Sequence, residues 1–477
     1  MNSIPLHPGR LARAAALSLG LTFTVLFFTG CTTGPDYVRP LVETPVDWRW
    51  KLAEPRDHVP RGPWWEVFGD PELNRIQALA MSDNLDLRAA FARVEQARIA
   101  ARLTQSQFYP TLNGQAGWAR YRTSGNAPAP VPFPVPSMQQ SQWSTPLDLS
   151  YEIDLWGKVR RDFESARSRA VGSEAARQAV LLALQADVAA TYFALQIANQ
   201  ETELLRQTIA LRTEALGVFG QRLTAGVGGE FEVQRARVEV ATAEADLAAI
   251  ERRHAGLLNH LAVLCGRPPS ALDFTITPGM PRLPQIQPDV PSSVLERRPD
   301  VAEAERELAA RCAQIGVAKA SFFPVVRLTA SGGFLSGELE DLFSWDSRTW
   351  SIGPGVSVPL FAGGRLRAGL DRTRAAYEEA VSLYRQRILV AFQEVEDNLS
   401  ALSHLSRESV ARKNAADAAR EARTIAFDRY RAGSVNFLEV VDAENARLLN
   451  ELAHLRVANE QQLASVRLIK ALGGGWE

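Results

Sequence analysis

Residues 143–155 read Trp-Ser-Thr-Pro-Leu-Asp-Leu-Ser-Tyr-Glu-Ile-Asp-Leu, and apolar and polar side chains alternate along this stretch. The apolar face carries Trp143, Thr145, Leu147, Leu149, Tyr151, Ile153 and Leu155, and the polar face carries Ser144, Pro146, Asp148, Ser150, Glu152 and Asp154. Alternation with a period of two predicts a β-strand with one apolar and one polar face. The stretch therefore predicts a sheet that separates an apolar environment from water.

Three further segments alternate as well: the weaker ones are 112–122 and 325–335, and the third is 349–360. Each has about 10–12 residues, the length that a tilted strand needs to cross a bilayer. Strands with one apolar and one polar face are typical of a membrane barrel, which has lipid outside and water inside. The strands alone leave a second interpretation open, in which two hairpins pack on a soluble core.

Four strands are too few to close a barrel, and open strand edges are not tolerated in lipid. If these strands span a membrane, copies of the chain must therefore associate. Three copies would supply 12 strands, an even number within the range known for such barrels. No run of 18 apolar residues follows residue 30, so the strands, and not a helix, would have to cross the membrane.

Each pair of strands is followed by a long helical pattern without proline. Apolar residues recur in the first pattern at alternating spacings of three and four, which predicts a coiled-coil seam. About 60 helical residues make a rod of roughly 90 Å. Each rod turns at an Ala-Gly pair and returns as a shorter helix; the predicted helices are 158–219, 231–264, 366–428 and 438–472.

The chain repeats itself, because both halves have the order helix, strand, strand, long helix, turn, helix. The spacing from Asp86 to the motif Phe108-Tyr109-Pro110 equals the spacing from Asp300 to the motif Phe322-Phe323-Pro324. A period this long indicates a duplicated half-protein rather than a solenoid. The predicted divisions are a signal peptide (1–30), an extended N-terminal arm (31–65), a first repeat (66–265), a Pro-rich connector (266–298) and a second repeat (299–477).

The N-terminus predicts export and lipidation. Residues 1–30 combine the basic residues Arg10 and Arg13 with a short apolar run, as in a secretory signal. The run ends in Phe28-Thr29-Gly30-Cys31, which resembles a bacterial lipobox, so Cys31 is predicted to be the lipidated first residue of the mature chain. An ordinary signal peptide with an incidental cysteine is the alternative. Thr32 is not the Asp that retains lipoproteins at the inner membrane in enteric bacteria, which favours the outer membrane.

Composition argues against several other classes of protein. The formal net charge is −1 and the pI is about 6.7, whereas a nucleic-acid partner calls for a basic surface. His254 and His260 are spaced for different faces of a helix, and no phosphate loop or nucleophile elbow is present. Cys265 and Cys312 lie in helical patterns and are expected to be core residues. We therefore predict no enzyme activity, no cofactor, no metal site and no nucleic-acid partner.

Several short motifs occur in an order typical of one family. They are Trp64-Trp65-Glu66-Val67-Phe68-Gly69-Asp70-Pro71-Glu72-Leu73, Arg298-Pro299-Asp300-Val301, Phe361-Ala362-Gly363-Gly364-Arg365 and Leu472-Gly473-Gly474-Gly475-Trp476. With these motifs the chain resembles the TolC-like outer membrane efflux proteins over residues 20–477. The resemblance is greatest to their lipoprotein branch, which includes OprM, CusC and NodT.

The resemblance implies a mainly α-helical fold with a smaller β part. A homotrimer would form a 12-stranded outer-membrane β-barrel, continued by a long periplasmic α-helical coiled-coil barrel. The implied partners are a periplasmic adaptor, or membrane fusion, protein and an inner-membrane pump, often of the resistance-nodulation-division type. The trimer would conduct small molecules passively, drugs among them, while the pump supplies the energy.

The resemblance also implies a periplasmic gate at the two helical turns. Glu439 and Asp442, here called the gate carboxylates, match the family's constricting acidic positions, and three copies would form a ring that favours cations. Glu232 and Tyr430 match a closed-state latch, for which a phenol-to-carboxylate hydrogen bond is expected. The residues expected to contact the adaptor are those of the exposed turns: Ala225, Gly226, Ala432, Gly433 and Ser434.

Two other kinds of function stay open at this point. A lipidated coiled-coil scaffold or adhesin of the envelope would show the same long helices without a conducting pore. Within the family, the chain could be a duct for type I protein secretion or for metal-ion export. With four methionines in the chain, no methionine cluster indicates copper.

Overall fold

A computed structural model describes residues 32–40, 62–125, 137–271 and 297–474, together with a few isolated residues between 271 and 297. The predicted signal peptide, Cys31, most of the connector and Gly475-Trp476 lie outside the described residues. The helices in the described ranges are α1 (Pro71–Asp83), α2 (Leu85–Gln105), α3 (Lys158–Thr224), α4 (Glu230–Leu264), α5 (Pro299–Ala320), α6 (Arg365–Arg431) and α7 (Phe437–Ala471).

The strands form one antiparallel sheet. They are β1 (Thr111–Gly114), β2 (Gly117–Arg122), β3 (Gln139–Ile153), β4 (Val325–Ser336) and β5 (Arg348–Ser357). β3 pairs with both β1 and β2 on one side and with β4 on the other, and β4 pairs with β5. The strand pair of the first half (β1/β2 with β3) therefore lies beside the strand pair of the second half (β4 with β5). The outer strands β1/β2 and β5 each have an edge that no described strand covers.

The strand predicted over 112–122 is interrupted, which corrects the expectation of a continuous strand. β1 and β2 share one register against β3, and the gap at residues 115 and 116 lies opposite Pro146 and Thr145. Proline has no N–H to donate, so the ladder is weakened at this place. The Gln115 N–H still donates to the Pro146 carbonyl oxygen at 3.0 Å, which keeps the two segments in line.

The pairing register sorts the side chains of all strands onto two faces. Odd-numbered β3 residues lie opposite even-numbered residues of β1, β2 and β4, so Leu149 stands between Leu112 and Ala330. This apolar face continues onto β5 through Ile352, which pairs with Ala330. The opposite face carries mostly small polar side chains. The alternation read from residues 143–155 therefore extends across the whole sheet.

The described chain divides into two compact units. One consists of residues 32–40, 96–125, 137–171 and 306–382 and contains the sheet; the other consists of 62–95, 172–271, 297–305 and 383–474. Each unit draws on both halves of the duplication. In the second unit, a short 3-10 helix (Trp64–Phe68) packs against α1, α3 and α4 around the fully buried Tyr192 and Phe193.

Two of the family motifs have structural roles in the second unit. Asp70 caps α1 by accepting hydrogen bonds from the Glu72 and Leu73 N–H groups, and its other oxygen accepts a bond from the Tyr192 hydroxyl at 2.8 Å. The Arg298 guanidinium is buried and contacts Asp300, Glu394 and the Ala471 carbonyl oxygen. This guanidinium therefore ties the start of α5 to α6 and to the end of α7.

One described helix is long and apolar enough to span a bilayer by length and composition, namely α3, although the sequence suggested no such segment. About two thirds of its most apolar stretch is buried inside the protein. Leu184, Val188 and Leu195 of this stretch belong to the core of the second unit. Packing within the chain therefore accounts for the apolar character of α3.

The arm residues that follow Cys31 are docked within the first unit. The Thr33 N–H donates to the Trp156 carbonyl oxygen at 3.0 Å, and Asp36 accepts a hydrogen bond from the buried Arg161 at 2.6 Å. Gly34 lies against Gly316 of α5 so closely that a Cβ on Gly34 would be 2.5 Å from the Gly316 Cα. The arm is thus fixed where strand β3 passes into helix α3.

Gly316→Ala should loosen this docking, because the new Cβ would lie 2.7 Å from the Thr33 carbonyl oxygen. We expect a loss of stability of roughly 1–3 kcal/mol and a lower thermal midpoint in detergent. Gly369→Ala is the matched control, since Gly369 is also helical and nothing lies within 4 Å of its Cβ position. The control should gain up to about 1 kcal/mol. Equal midpoints for the two variants would contradict the docking role.

Candidate gate at the two helical turns

The two helical turns have the same backbone structure. In the first, the Val227 N–H donates to the Arg222 carbonyl oxygen and the Gly226 N–H to that of Leu223. In the second, Ser434 bonds to Arg429 and Gly433 to Tyr430 in the same way. Gly226 and Gly433 have φ values of 73° and 69°, so each helix ends in a Schellman motif that requires glycine at this position.

The helices that leave the turns also begin alike. Glu232 and Glu439 occupy the same position in the first turn of α4 and α7, and Arg235 stands in α4 where Asp442 stands in α7. The Glu232 carboxylate accepts a hydrogen bond from the Gly229 N–H at 3.4 Å, and the Asn436 side chain caps α7. The duplication therefore relates a predicted latch residue, Glu232, to a predicted gate carboxylate.

Each gate carboxylate faces an arginine. Glu439 is 3.9 Å from Arg429 Nη1 at the end of α6, and Asp442 is 3.8 Å from Arg235 Nη2 on α4. The side chains of Glu439 and Asp442 are 53% and 66% exposed. Exposed pairs at such distances contribute little to stability and are screened by salt. The carboxylates therefore remain available to solvent and to ions.

The predicted latch residues have other partners within this chain. Arg222 Nη1 of α3 donates to the Tyr430 hydroxyl of α6 at 2.6 Å, while Glu232 caps its own helix. The Glu232–Tyr430 pair stays a prediction. Sequence reasoning missed Arg222 as the partner of Tyr430. Arg222 occupies the position in the first turn that Arg429 occupies in the second, and this correspondence is the signal that could have indicated it.

An aromatic cluster lies beside this hydrogen bond. Phe219 of α3 is 2% exposed, and its ring centroid is 4.0 Å from that of Phe437, the first residue of α7. The Tyr430 ring is 5.6 Å from Phe437 and 6.5 Å from Phe219. The cluster joins the first hairpin (α3 and α4) to the second (α6 and α7) by apolar contacts, and the Arg222–Tyr430 bond adds a polar one.

Farther along α7, a buried charged network holds three helices together. Glu444 accepts hydrogen bonds from Arg447 at 2.6 Å and from Arg423 of α6 at 3.0 Å. Arg447 also contacts Glu451 at 2.5 Å and donates to the Thr208 hydroxyl of α3 at 3.1 Å. Burial alone would raise the pKa of Glu444, but the bonds and charges of Arg447 and Arg423 outweigh it and lower the pKa below its ordinary value.

The turn residues expected to contact an adaptor are all exposed: Ala225, Gly226, Ala432, Gly433 and Ser434. Two apolar side chains at the first turn are largely exposed as well, one within the predicted turn 224–229 and one just beyond it. These are Val227 and Phe231, at 67% and 75%. The residues of the second turn that correspond to them are Ser434 and Leu438, so the first turn has the more apolar surface.

The sequence model of the outer membrane efflux protein family matches residues 77–267 and 290–474. The chain belongs to the outer membrane efflux protein family. The resemblance drawn from the motifs is confirmed, as are a mainly helical fold with a β part and a location in the outer membrane. Members of this family are efflux channels and not enzymes, which also confirms that prediction.

Individual relatives match over nearly their whole length. The outer membrane protein OprJ of Pseudomonas aeruginosa is 34% identical over 98% of this chain and 97% of its own. SilC of Salmonella typhimurium, described as a probable outer membrane lipoprotein, is 30% identical over 95% of this chain and 97% of its own. The structure of the outer-membrane channel OprN has a TM-score of 0.83 at 31% identity, covering 94% of this chain and all of that one.

Glu444→Gln should destabilise this family member by roughly 3 kcal/mol at pH 7, because Arg423 and Arg447 lose their buried carboxylate partner. Since the folded-state pKa of Glu444 is lowered below the ordinary value of a free glutamate, its stabilisation is complete above that ordinary pKa and is lost as the pH falls through the folded pKa. The difference in thermal midpoint from the wild type should therefore be constant from pH 8 to about pH 5 and shrink below about pH 4.

Glu408→Gln is the matched control for this measurement, because Glu408 is exposed and its carboxylate pairs with Arg412 one turn away on the same helix. Its effect should stay within about 0.5 kcal/mol at every pH. A difference between Glu444→Gln and the wild type that persists unchanged at pH 3 would contradict the buried-network assignment.

Proposed function

We propose that three copies of the chain form the outer-membrane channel of a tripartite efflux system. The channel conducts small molecules passively from an inner-membrane pump and a periplasmic adaptor to the outside. The sheet is the observation that carries this proposal, because it has two uncovered edges and an exposed apolar face. Membership of the outer membrane efflux protein family supports the same assignment.

The uncovered edges are complementary. Among the described residues, no strand pairs with β5 on the side away from β4 or with β1/β2 on the side away from β3. In lipid these groups must be paired, and a closed barrel of several copies pairs all of them. Edge β5 of one copy would bond to β1/β2 of the next. Because β1 and β2 form one interrupted strand, each copy contributes four strands and three copies give 12.

The apolar face supports insertion into a membrane. Trp350 is 80% exposed, Ile352 68% and Val356 67%, and all three lie on the same face of β5. A soluble scaffold or adhesin would leave this face in water at a large cost, since exposed apolar patches of this kind mark contacts with lipid or protein. The scaffold alternative is therefore the weaker one.

The docked arm supports a lipid anchor at Cys31. Thr32, the next residue, lies within 3.0 Å of the position of a Cβ on Gly157, shortly after strand β3 ends. A lipid on Cys31 would thus leave the chain close to the end of the sheet. This is the level at which the membrane surface lies if the strands span the bilayer.

The gate carboxylates are proposed to line the periplasmic constriction. Six carboxylates from three copies would attract cations, and the weak pairs with Arg235 and Arg429 would let them do so. The Arg222–Tyr430 bond and the aromatic cluster would hold the two hairpins together in the closed state. Contact of the adaptor with the exposed turns would separate the hairpins.

The adaptor contact is proposed for Ala225, Gly226, Ala432, Gly433 and Ser434 and for the exposed Val227 of the same turn, with Phe231 added by its exposure. The inner-membrane partner is proposed to be a pump of the resistance-nodulation-division type. A duct for secreted proteins or metal ions is the alternative within the family, and transport assays with drugs, proteins and metal ions would separate these cargoes.

Ile352→Arg and Ser351→Arg test the membrane barrel with adjacent residues of one strand. Ile352 lies on the apolar face, so arginine there should oppose insertion by roughly 2–4 kcal/mol, whereas Ser351 lies on the polar face. We expect Ile352→Arg to lose most of the heat-modifiable trimer from the outer-membrane fraction and Ser351→Arg to retain it. Equal amounts of trimer for both variants would be incompatible with a lipid-facing sheet.

Single-channel recording in planar bilayers tests the gate. We expect small cation-selective openings that a trivalent cation blocks, with the block at least tenfold weaker in Glu439→Gln/Asp442→Asn, because the carboxylates that bind the ion are gone. Tyr430→Phe should raise the conductance and keep the block, since it removes only the bond from Arg222. Block of the double variant at the wild-type concentration would remove Glu439 and Asp442 from the gate.

A further inference from the structure

The polar face of the sheet carries three charged side chains within the described strands: Asp148, Glu152 and Arg327. Glu152 pairs with Arg327 in the β3–β4 register, and its carboxylate is 3.5 Å from Arg327 Nη2. Lys158, at the start of α3, approaches the same carboxylate at 3.2 Å. The negative charge of Glu152 is therefore compensated by two cations.

Asp148 has a different environment. Its direct neighbours in the sheet are Asn113 on β1 and Ser331 on β4, and Ser331 in turn pairs with Ser351 on β5. These four residues form one row across the sheet. All three neighbours are uncharged, and within the described residues no salt bridge reaches Asp148. Asp148 is thus a partly exposed carboxylate without a compensating charge, in the middle of the central strand β3.

We infer that Asp148 is a cation-selecting residue of the channel lumen, separate from the gate carboxylates on α7. The inference rests on the proposed trimeric channel, in which the polar face lines the lumen. Three-fold symmetry then places three Asp148 carboxylates at one level of the barrel wall. Rings of carboxylates in pores concentrate cations and exclude anions.

The effect of such a ring depends on ionic strength. A 12-stranded barrel has a lumen on the order of 10 Å in radius, which is close to the Debye length of about 8 Å at 0.15 M salt. The three charges then act over part of the lumen. At 0.01 M salt the Debye length is about 30 Å, and the whole cross-section lies within reach of the ring.

The test is the reversal potential of single channels under a KCl gradient, in the Glu439→Gln/Asp442→Asn background that lacks the gate carboxylates. Asp148→Asn keeps the size of the side chain and removes the charge. We expect the K⁺/Cl⁻ permeability ratio to fall by roughly threefold near 0.15 M salt and by more at 0.01 M. Asp148→Glu keeps the charge and should keep the ratio.

A relocation variant separates charge from a structural role. Asp148→Asn/Ser331→Asp moves the carboxylate to the adjacent strand within the same row, so the ratio should return to its starting value. In the same background, Ser331→Asp alone adds a second carboxylate per copy and should raise the ratio. If Asp148 served only to hold the strand in place, Asp148→Asn/Ser331→Asp would not bring the ratio back to its starting value.

The outcomes also distinguish this inference from the proposed function. Channels that conduct with a permeability ratio unchanged by Asp148→Asn, or not restored by the relocated carboxylate, would overturn the inference and leave the channel in place. Absence of any conductance, from the starting background as well as from its variants, would overturn the proposed channel and the lumenal role of Asp148 together.

Discussion

The pairing of backbone groups at the two edges of the sheet is the constraint on which the rest of the structure depends. Within the described chain, β1/β2 and β5 each have one unpaired edge, and the apolar face of the sheet is suited to lipid. Lipid offers no hydrogen bonds, so a sheet of this size can enter it only as part of a larger closed barrel. In the proposed channel, the requirement for several copies therefore follows from the strands, and the polar face forms the wall of the lumen.

The internal duplication supplies two similar strand pairs to the sheet, and divergence between the two repeats makes their helical turns chemically different. The helical turns keep the same Schellman geometry at Gly226 and Gly433. Arg235 in the first copy corresponds to Asp442 in the second, and the two side chains now face each other. Because the repeated position carries opposite charges in the two repeats, α4 and α7 can form an ion pair there. Two identical residues at this position could not do so.

The sequence was sufficient where local patterns determine the structure. Alternation predicted the strands, and the Ala-Gly pairs predicted the turns. The break opposite Pro146 was missed because it depends on which residue of the partner strand the proline meets. Arg222 was missed as the partner of Tyr430 for the same reason, since these residues are far apart in sequence and meet only when the two hairpins pack.

The two helical hairpins are held together strongly where the charged pairs are buried and weakly where the charged pairs are exposed. Glu444, Arg423 and Arg447 are largely buried and bonded to one another, so separating the helices there would leave unpaired charges at a cost of several kcal/mol. Closer to the turns, the pairs of Glu439 and Asp442 are exposed and longer, and such pairs are worth less than about 1 kcal/mol. If the turns separate as proposed, the helices should therefore part on the turn side of Glu444, with the Phe219 cluster as the main apolar contact to be broken. An adaptor that covers the exposed Val227 and Phe231 would replace part of that lost apolar contact, which is how binding at the turns could favour the open state.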